Sequence, residues 1–212
     1  MSAHMALEQE PLSASGYESA PPSSVTSGLN ASDDRPAAAD ERSDPGIVRP
    51  LEPSRLPPPP SGWSDAITGT DGPRYWDRVM SSERARVGRY RRPATVVLVE
   101  IDGLEFLARQ WGHDVAERAL VVVARTLARE IRSSDHIARI EPARFGMLLT
   151  ETSEIDAINF VERARSACEA ELGQTAELVK VGFGWASPPD GGDLSDAILI
   201  AASRLAAELD ET

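Results

Sequence analysis

An α+β sandwich, with helices flanking a central, mostly antiparallel sheet, is the fold class this sequence predicts. Three observations carry it. Helix and strand periodicities alternate along the chain from Pro73 to Leu209, without internal repeats. Two strand-like runs, Ile137 to Ile140 and Phe145 to Thr150, are separated only by a short Pro-containing turn, which predicts an antiparallel hairpin. The run Ala94-Thr95-Val96-Val97-Leu98-Val99 contains no charge, as expected of a central strand buried on both faces.

The elements follow in order. Pro73 suits a first helical position, and Tyr75, Trp76, Val79 and Met80 form an apolar stripe in a helix running to Tyr90. The central strand follows Arg92-Pro93. Helical spacing returns at Leu104, Leu107 and Trp111, breaks at Gly112 and resumes from Ala116 to Arg132. After the hairpin, Ile155 to Leu172 forms a long amphipathic helix stopped by Gly173, a residue favoured just past helix ends. Val179 to Ala186 alternates like a strand, Ser187 to Gly192 is a loop, and Leu194 to Leu209 is a final helix.

Ahead of this domain, assigned to residues 62–212, lies a segment of different composition. Eleven of the 16 prolines fall in residues 1–60, ending in Pro57-Pro58-Pro59-Pro60. Residues 1–61 are rich in Ser, Ala and acids and poor in aromatic and β-branched side chains. They are expected to be a disordered arm whose Pro-rich end is an extended spacer. The arm carries 4 basic and 9 acidic residues of the chain's 22 and 34, which leaves the domain 18 and 25, a net charge of −7. That sign argues against nucleic-acid binding and against adhesion to anionic membranes. No apolar run approaches transmembrane length and no signal peptide is evident, so a cytoplasmic location without membrane insertion is expected. Cys168 is the only cysteine, which rules out an intrachain disulfide; it is expected in the core.

Short motifs then add up. Asp65-Ala66-Ile67-Thr68-Gly69, Val99-Glu100-Ile101-Asp102, Gly112-His113, Arg132-x-x-Asp135, Arg139-Ile140, Phe145 and Gly182-Phe183-Gly184 are each weak alone, but their order and spacing are specific. Together they resemble the GGDEF family, diguanylate cyclases that make cyclic di-GMP from GTP. The resemblance covers about residues 65–209 and implies a nucleotidyl cyclase-like sandwich. At the family's Gly-Gly-Asp/Glu-Glu-Phe pentad this chain reads Glu141-Pro142-Ala143-Arg144-Phe145.

The resemblance implies that the catalytic positions are degenerate. Phosphodiester formation in the family uses Mg²⁺, a hard cation held by carboxylates. The two carboxylate positions are Glu100, a tolerable replacement, and Ala143, which has no ligand atom. Arg144 brings a cation to the next position. The guanine-reading Asn maps onto Ala108 and its Asp partner onto Glu117. Two phosphate-binding lysines map onto Glu105 and about Leu209. One lost transition-state contact commonly costs about 3–4 kcal/mol. With several gone, the chain is expected to be a non-enzyme with no catalytic residues, no metal and no cofactor.

A regulatory site is better kept. Arg132-Ser133-Ser134-Asp135 stands five residues before the pentad, the family spacing for its inhibitory cyclic di-GMP site, and Arg163 maps onto the arginine that completes it. An arginine fork suits guanine O6 and N7 or a phosphate, and a carboxylate suits guanine N1–H and the 2-amino group. The bland alternative is a helix-terminal Arg132 in a local ion pair with Asp135, beside a solvated Arg163. Composition alone produces one Arg-x-x-Asp, at Arg74-Tyr75-Trp76-Asp77. His113 is read as structural, His136 as a half-exposed strand residue, and Trp63, Trp76, Trp111 and Trp185 as packing. The expected function is an inactive cyclic di-GMP receptor that acts through an unidentified protein partner, with a ligand-bridged homodimer in view. The competing class is a nucleotide-independent interaction module.

Overall fold

The computed structural model describes residues 56–190 and 192–211. The elements are α1 (Pro73–Tyr90), β1 (Ala94–Asp102), α2 (Leu104–Trp111), α3 (His113–Glu130), β2 (His136–Glu141), β3 (Arg144–Thr150), α4 (Glu154–Leu172), β4 (Lys180–Ala186) and α5 (Leu194–Asp210), with a 3-10 turn at Gly173–Glu177. The strands lie in the order β2-β3-β1-β4, and every pairing is antiparallel. The fold is the α+β sandwich read from the sequence.

Alternation along β1 divides the core in two. Val97, Val99 and Ile101 point to a layer formed by α2, α3 and α4. Val96 and Leu98 point to a layer formed by α1 and α5. Because β1 is an inner strand with a helix layer on each side, its sequence shows no polar alternation until Glu100.

Small residues let the second layer approach. Gly146 and Gly184 flank Leu98 in register. A Cβ on Gly146 would lie 2.9 Å from the Trp76 indole, and one on Gly184 would lie 2.0 Å from the Ala201 carbonyl of α5. The glycines thus seat Trp76 and α5 directly on the sheet.

β4 is an edge strand whose outward groups are covered by side chains. Arg165 reaches the Val181 carbonyl at 3.4 Å, Glu208 accepts from the Phe183 N–H at 3.3 Å, Arg204 donates to the Trp185 carbonyl, and Glu154 accepts from the Ser187 N–H at 2.9 Å. The ion pairs Arg165–Glu208 and Arg204–Glu154, both 2.7 Å, complete this cover. An edge closed in this way resists strand addition by another chain.

Three expectations need correction. The chain is already against the domain before residue 62: Leu56 packs on the core, Pro57 is buried, and the Pro58 carbonyl accepts from Arg139 at 2.8 Å. The carbonyls of a Pro-rich segment remain free acceptors, so a spacer composition does not prevent docking. The rest of the expected arm, residues 1–55, lies outside the described residues. Second, α3 ends at Glu130, so Arg132 lies beyond the helix. Third, Trp63 and Trp111 are about half exposed rather than packed, Trp63 beneath Arg78 and Trp111 edge-on to Phe106.

Candidate functional site

The β2–β3 turn is the first place where candidate residues meet. Glu100 of β1 pairs in register with Arg144 of β3, so their side chains leave the sheet on the same face. The Arg144 guanidinium donates from Nε to Glu100 Oε2 at 2.8 Å and from Nη1 to Glu141 Oε1 at 3.1 Å. Both Arg144 and Glu100 are half-buried. An internal cation therefore sits between the two carboxylates of this corner. Ala143 offers only its carbonyl, which accepts from the Ile101 N–H at 3.0 Å and ties the turn to β1.

The other positions from the same set are spread over α2, α3 and α5. Glu105 is exposed in the first turn of α2, and Ala108 is buried under it. Glu117 of α3 lines a groove with Ile67 and Val121. Leu209 covers Gly182, the cross-strand neighbour of Glu100. These residues do not fit a bound divalent cation: Ala143 has no side-chain donor, and a guanidinium already neutralises Glu100. Among the described residues no three His, Cys, Asp or Glu side chains converge as a metal site.

Beneath the turn lies Arg139, which has no solvent exposure. Its Nη1 donates to Asp65 Oδ1 at 3.0 Å, and Nη2 donates to the Pro58 and Pro142 carbonyls at 2.8 Å each. Asp65 also accepts from the Thr68 N–H at 2.9 Å and hydroxyl at 2.6 Å, which shapes the Asp65–Gly69 turn. One arginine thus joins the incoming chain, that turn and the hairpin turn. Burial pulls its guanidinium below the usual arginine value, and the Asp65 carboxylate opposes that shift. The sequence reading named Arg139 only as part of a motif. A signal was available, since Arg139 shares strand parity with buried Ile137.

The second meeting place lies at the other end of the hairpin. Arg132, Asp135 and Arg163 line one pocket of about 330 Å³, together with Glu130, Glu151 and Asp156. Asp135 does not form the local ion pair with the Arg132 side chain that the alternative reading offered. Instead its Oδ2 accepts from the Arg132 backbone N–H at 3.1 Å and its Oδ1 from the Thr150 N–H at 3.0 Å. The carboxylate closes the loop onto β3 and keeps spare acceptor capacity on Oδ2. The Arg132 guanidinium is exposed and has no hydrogen-bond or ionic partner among the described residues. Arg163 is not merely solvated: its Nε donates to Glu130 Oε2 at 2.6 Å, and it lies 5.6 Å over the Phe160 ring. Glu130 was not read from the sequence, because its partner is 33 positions away on another helix.

The remaining candidates lie outside both places. His136 is half-exposed on β2, with the Tyr75 hydroxyl 3.2 Å from its Nδ1, and His113 is exposed at the start of α3. Cys168 is fully buried; burial first, then Glu130 and Glu169, push its thiol up to about 12, so it is no nucleophile at neutral pH. No helix among the described residues is long and apolar enough to cross a membrane.

Comparison with known proteins gives a consistent picture. The family profile described as "Diguanylate cyclase, GGDEF domain" matches residues 63–210. The probable diguanylate cyclase DgcC of Escherichia coli K12 is 31% identical over 99 residues, covering 47% of this chain and 27% of that protein. The chain therefore spans about a quarter of the length of the first curated relatives it matches. Among solved structures, SiaD of Pseudomonas aeruginosa, in complex with its activator SiaC, is similar with a TM-score of 0.63. It is 25% identical, over 70% of this chain and 58% of that one. The GGDEF domain of DgcB from Caulobacter crescentus, in complex with c-di-GMP, has a TM-score of 0.65. At 17% identity, over 71% of this chain and 92% of that one, its likeness is one of fold.

Proposed function

The chain belongs to the GGDEF family, and from that premise we propose that it is a member without cyclase activity that serves as a cyclic di-GMP receptor. Arg132, Asp135 and Arg163 are the ligand-binding residues of this reading. Glu100, Glu105, Ala108, Glu117, Ala143 and Arg144 are the remains of the active site.

The observation that carries the reading is the contrast between two arginines. Arg144 is spent, its guanidinium bonded to Glu100 and Glu141 where the family places a metal. Its charge opposes a divalent cation at the same corner. The Arg132 guanidinium has no partner among the described residues and faces a pocket that also holds a carboxylate with acceptor capacity and a second arginine. That set suits guanine: the fork donates to O6 and N7, and Asp135 accepts from N1–H and the 2-amino group. The pocket of about 330 Å³ holds a base with its phosphate rather than a whole cyclic dinucleotide. The other half of the ligand then projects outward, where a second copy of the domain can meet it. Output passes to a protein partner, and residence in the cytoplasm fits the ligand.

Calorimetric titration of the full chain with cyclic di-GMP tests this. Binding in the micromolar range is expected, lost in Arg132→Ala, with no product from GTP and Mg²⁺. Absence of heat, equal binding by Arg132→Ala, or metal-dependent turnover overturns it. The competing reading, an interaction module indifferent to nucleotide, draws on the four acids Glu130, Asp135, Glu151 and Asp156 in the same pocket, against two arginines. It predicts partner capture that ignores cyclic di-GMP.

A further inference from the structure

We infer that Glu130 sets the ligand threshold of the Arg132–Asp135–Arg163 pocket, by occupying one of the two edges of the Arg163 guanidinium that can take an anionic or guanine ligand. This inference rests on the pocket being a cyclic di-GMP site.

Arg163 has a fixed supply of donors. Its Nε–H goes to Glu130 Oε2 at 2.6 Å, and one Nη2–H goes to the Glu130 backbone carbonyl at 3.3 Å. The Nε/Nη2 edge, one of the two edges suited to paired acceptors, is therefore consumed by a single residue. The side chain of Glu130 is 22% exposed and that of Arg163 is 55% exposed, so the pair is only partly wetted and is screened less than an open surface pair.

Position strengthens the hold. Glu130 is the last residue of α3, where unpaired carbonyls already concentrate negative potential. A carboxylate there is unfavourable unless a cation accompanies it, and Arg163 supplies one from α4. Phe160, under the guanidinium at 5.6 Å, fixes its plane. Arg163 is thus oriented in the pocket yet neutralised, whereas Arg132 is unencumbered. A ligand reaching Arg132 gains a full cation. To engage the Nε/Nη2 edge of Arg163 it must exchange with Glu130, and it meets an excess of carboxylate while doing so.

Glu130→Gln keeps the length and an acceptor oxygen but removes the charge, leaving a neutral hydrogen bond that a phosphate displaces easily. Affinity for cyclic di-GMP is expected to rise by about two- to fivefold, the equivalent of a partly exposed ion pair. Calorimetry on the full chain compares wild type, Glu130→Gln, Arg163→Ala and the double variant, with an unchanged thermal midpoint as the check on folding. Tighter binding by Glu130→Gln that vanishes in the Arg163→Ala background is the expected result. Tightening that persists without Arg163 overturns the inference, since it reports only a change in pocket charge. Equal or weaker binding by Glu130→Gln, while Arg132→Ala still abolishes wild-type binding, overturns the role of Glu130 and leaves the receptor reading standing. A silent wild type with a binding Glu130→Gln supports the role of Glu130 and removes the receptor reading of the unaltered chain. Silence in both removes both.

Discussion

Replacing Arg139 by methionine tests whether one buried guanidinium holds the hairpin turn, the Asp65 turn and the incoming chain together. Methionine fills similar space without a charge. The substitution leaves Asp65, whose side chain is 5% exposed, without its counter-ion. Removing one member of a buried pair costs about 3–5 kcal/mol. Two features soften this. Asp65 keeps the Thr68 N–H and hydroxyl, at 2.9 and 2.6 Å. Arg139 Nε also has no partner in the native fold, and an unsatisfied buried donor of this kind costs about 1–3 kcal/mol that the variant no longer bears. The Pro58 and Pro142 residues are at least partly exposed, so water replaces the lost donors there. The expected net loss is about 2 kcal/mol, the centre of the range these two terms leave. With a urea m-value of about 2 kcal/mol/M the midpoint falls by about 1 M. Because the cost arises from a lone buried carboxylate, Asp65→Asn combined with Arg139→Met should recover much of it. Chemical denaturation followed by circular dichroism measures both. A single variant within about 0.5 kcal/mol of wild type, or a double variant as unstable as the two single losses added, would refute the reasoning.

Two further outcomes follow from packing and charge. Gly184→Ala places a Cβ 2.0 Å from the Ala201 carbonyl and 2.5 Å from the Leu205 N–H, so α5 must lift from the sheet. A loss of about 2–3 kcal/mol, read as a thermal midpoint lower by about 5–10 °C, is expected, and an unshifted midpoint contradicts the contact. Stability should also fall with acid. The Ser195 backbone N–H foremost, with Arg84 assisting, holds the Asp193 carboxyl below its usual range. Burial pushes Glu154 up, but the Ser187 N–H and Arg204 outweigh it and leave that carboxyl low as well. A lowered folded-state value means the contribution is complete above the unfolded values, about 4, and is lost as pH falls through the folded ones. Asp71 runs the other way, raised by burial against the opposing charge of His136. Asp193→Asn keeps a helix cap and should flatten the decline of stability between pH 5 and 3; an unchanged slope would show that Asp193 plays no part in it.

The helices and strands were legible because each has a period or a punctuation mark of its own. Pro73 opens α1, Gly112 separates α2 from α3, and Gly173 ends α4. Alternation alone placed β4, and the Pro-containing turn placed the hairpin. The end of α3 was missed by two residues, since Ile131 and Arg132 continue a plausible helical pattern. What bends the chain there is Asp135, which captures the Arg132 N–H and the Thr150 N–H. The docking of residues 56–61 was missed for a related reason. It depends on a carbonyl, which every residue carries, meeting an arginine 81 positions away.

The sequence by itself determined the fold class, the order of elements, and which residue types stand at the positions the resemblance singles out. Those depend on local periodicity and on residue identity. Only the tertiary structure decided what those side chains touch. It turned Arg144 inward onto Glu100 and Glu141, left the Arg132 guanidinium without a partner among the described residues, tied Arg163 to Glu130, and buried Arg139 beneath three segments. A charge in a sequence has a sign but no partner. Its pairing, and so its energy and its availability to a ligand, is fixed by distances of a few ångströms between residues far apart in the chain.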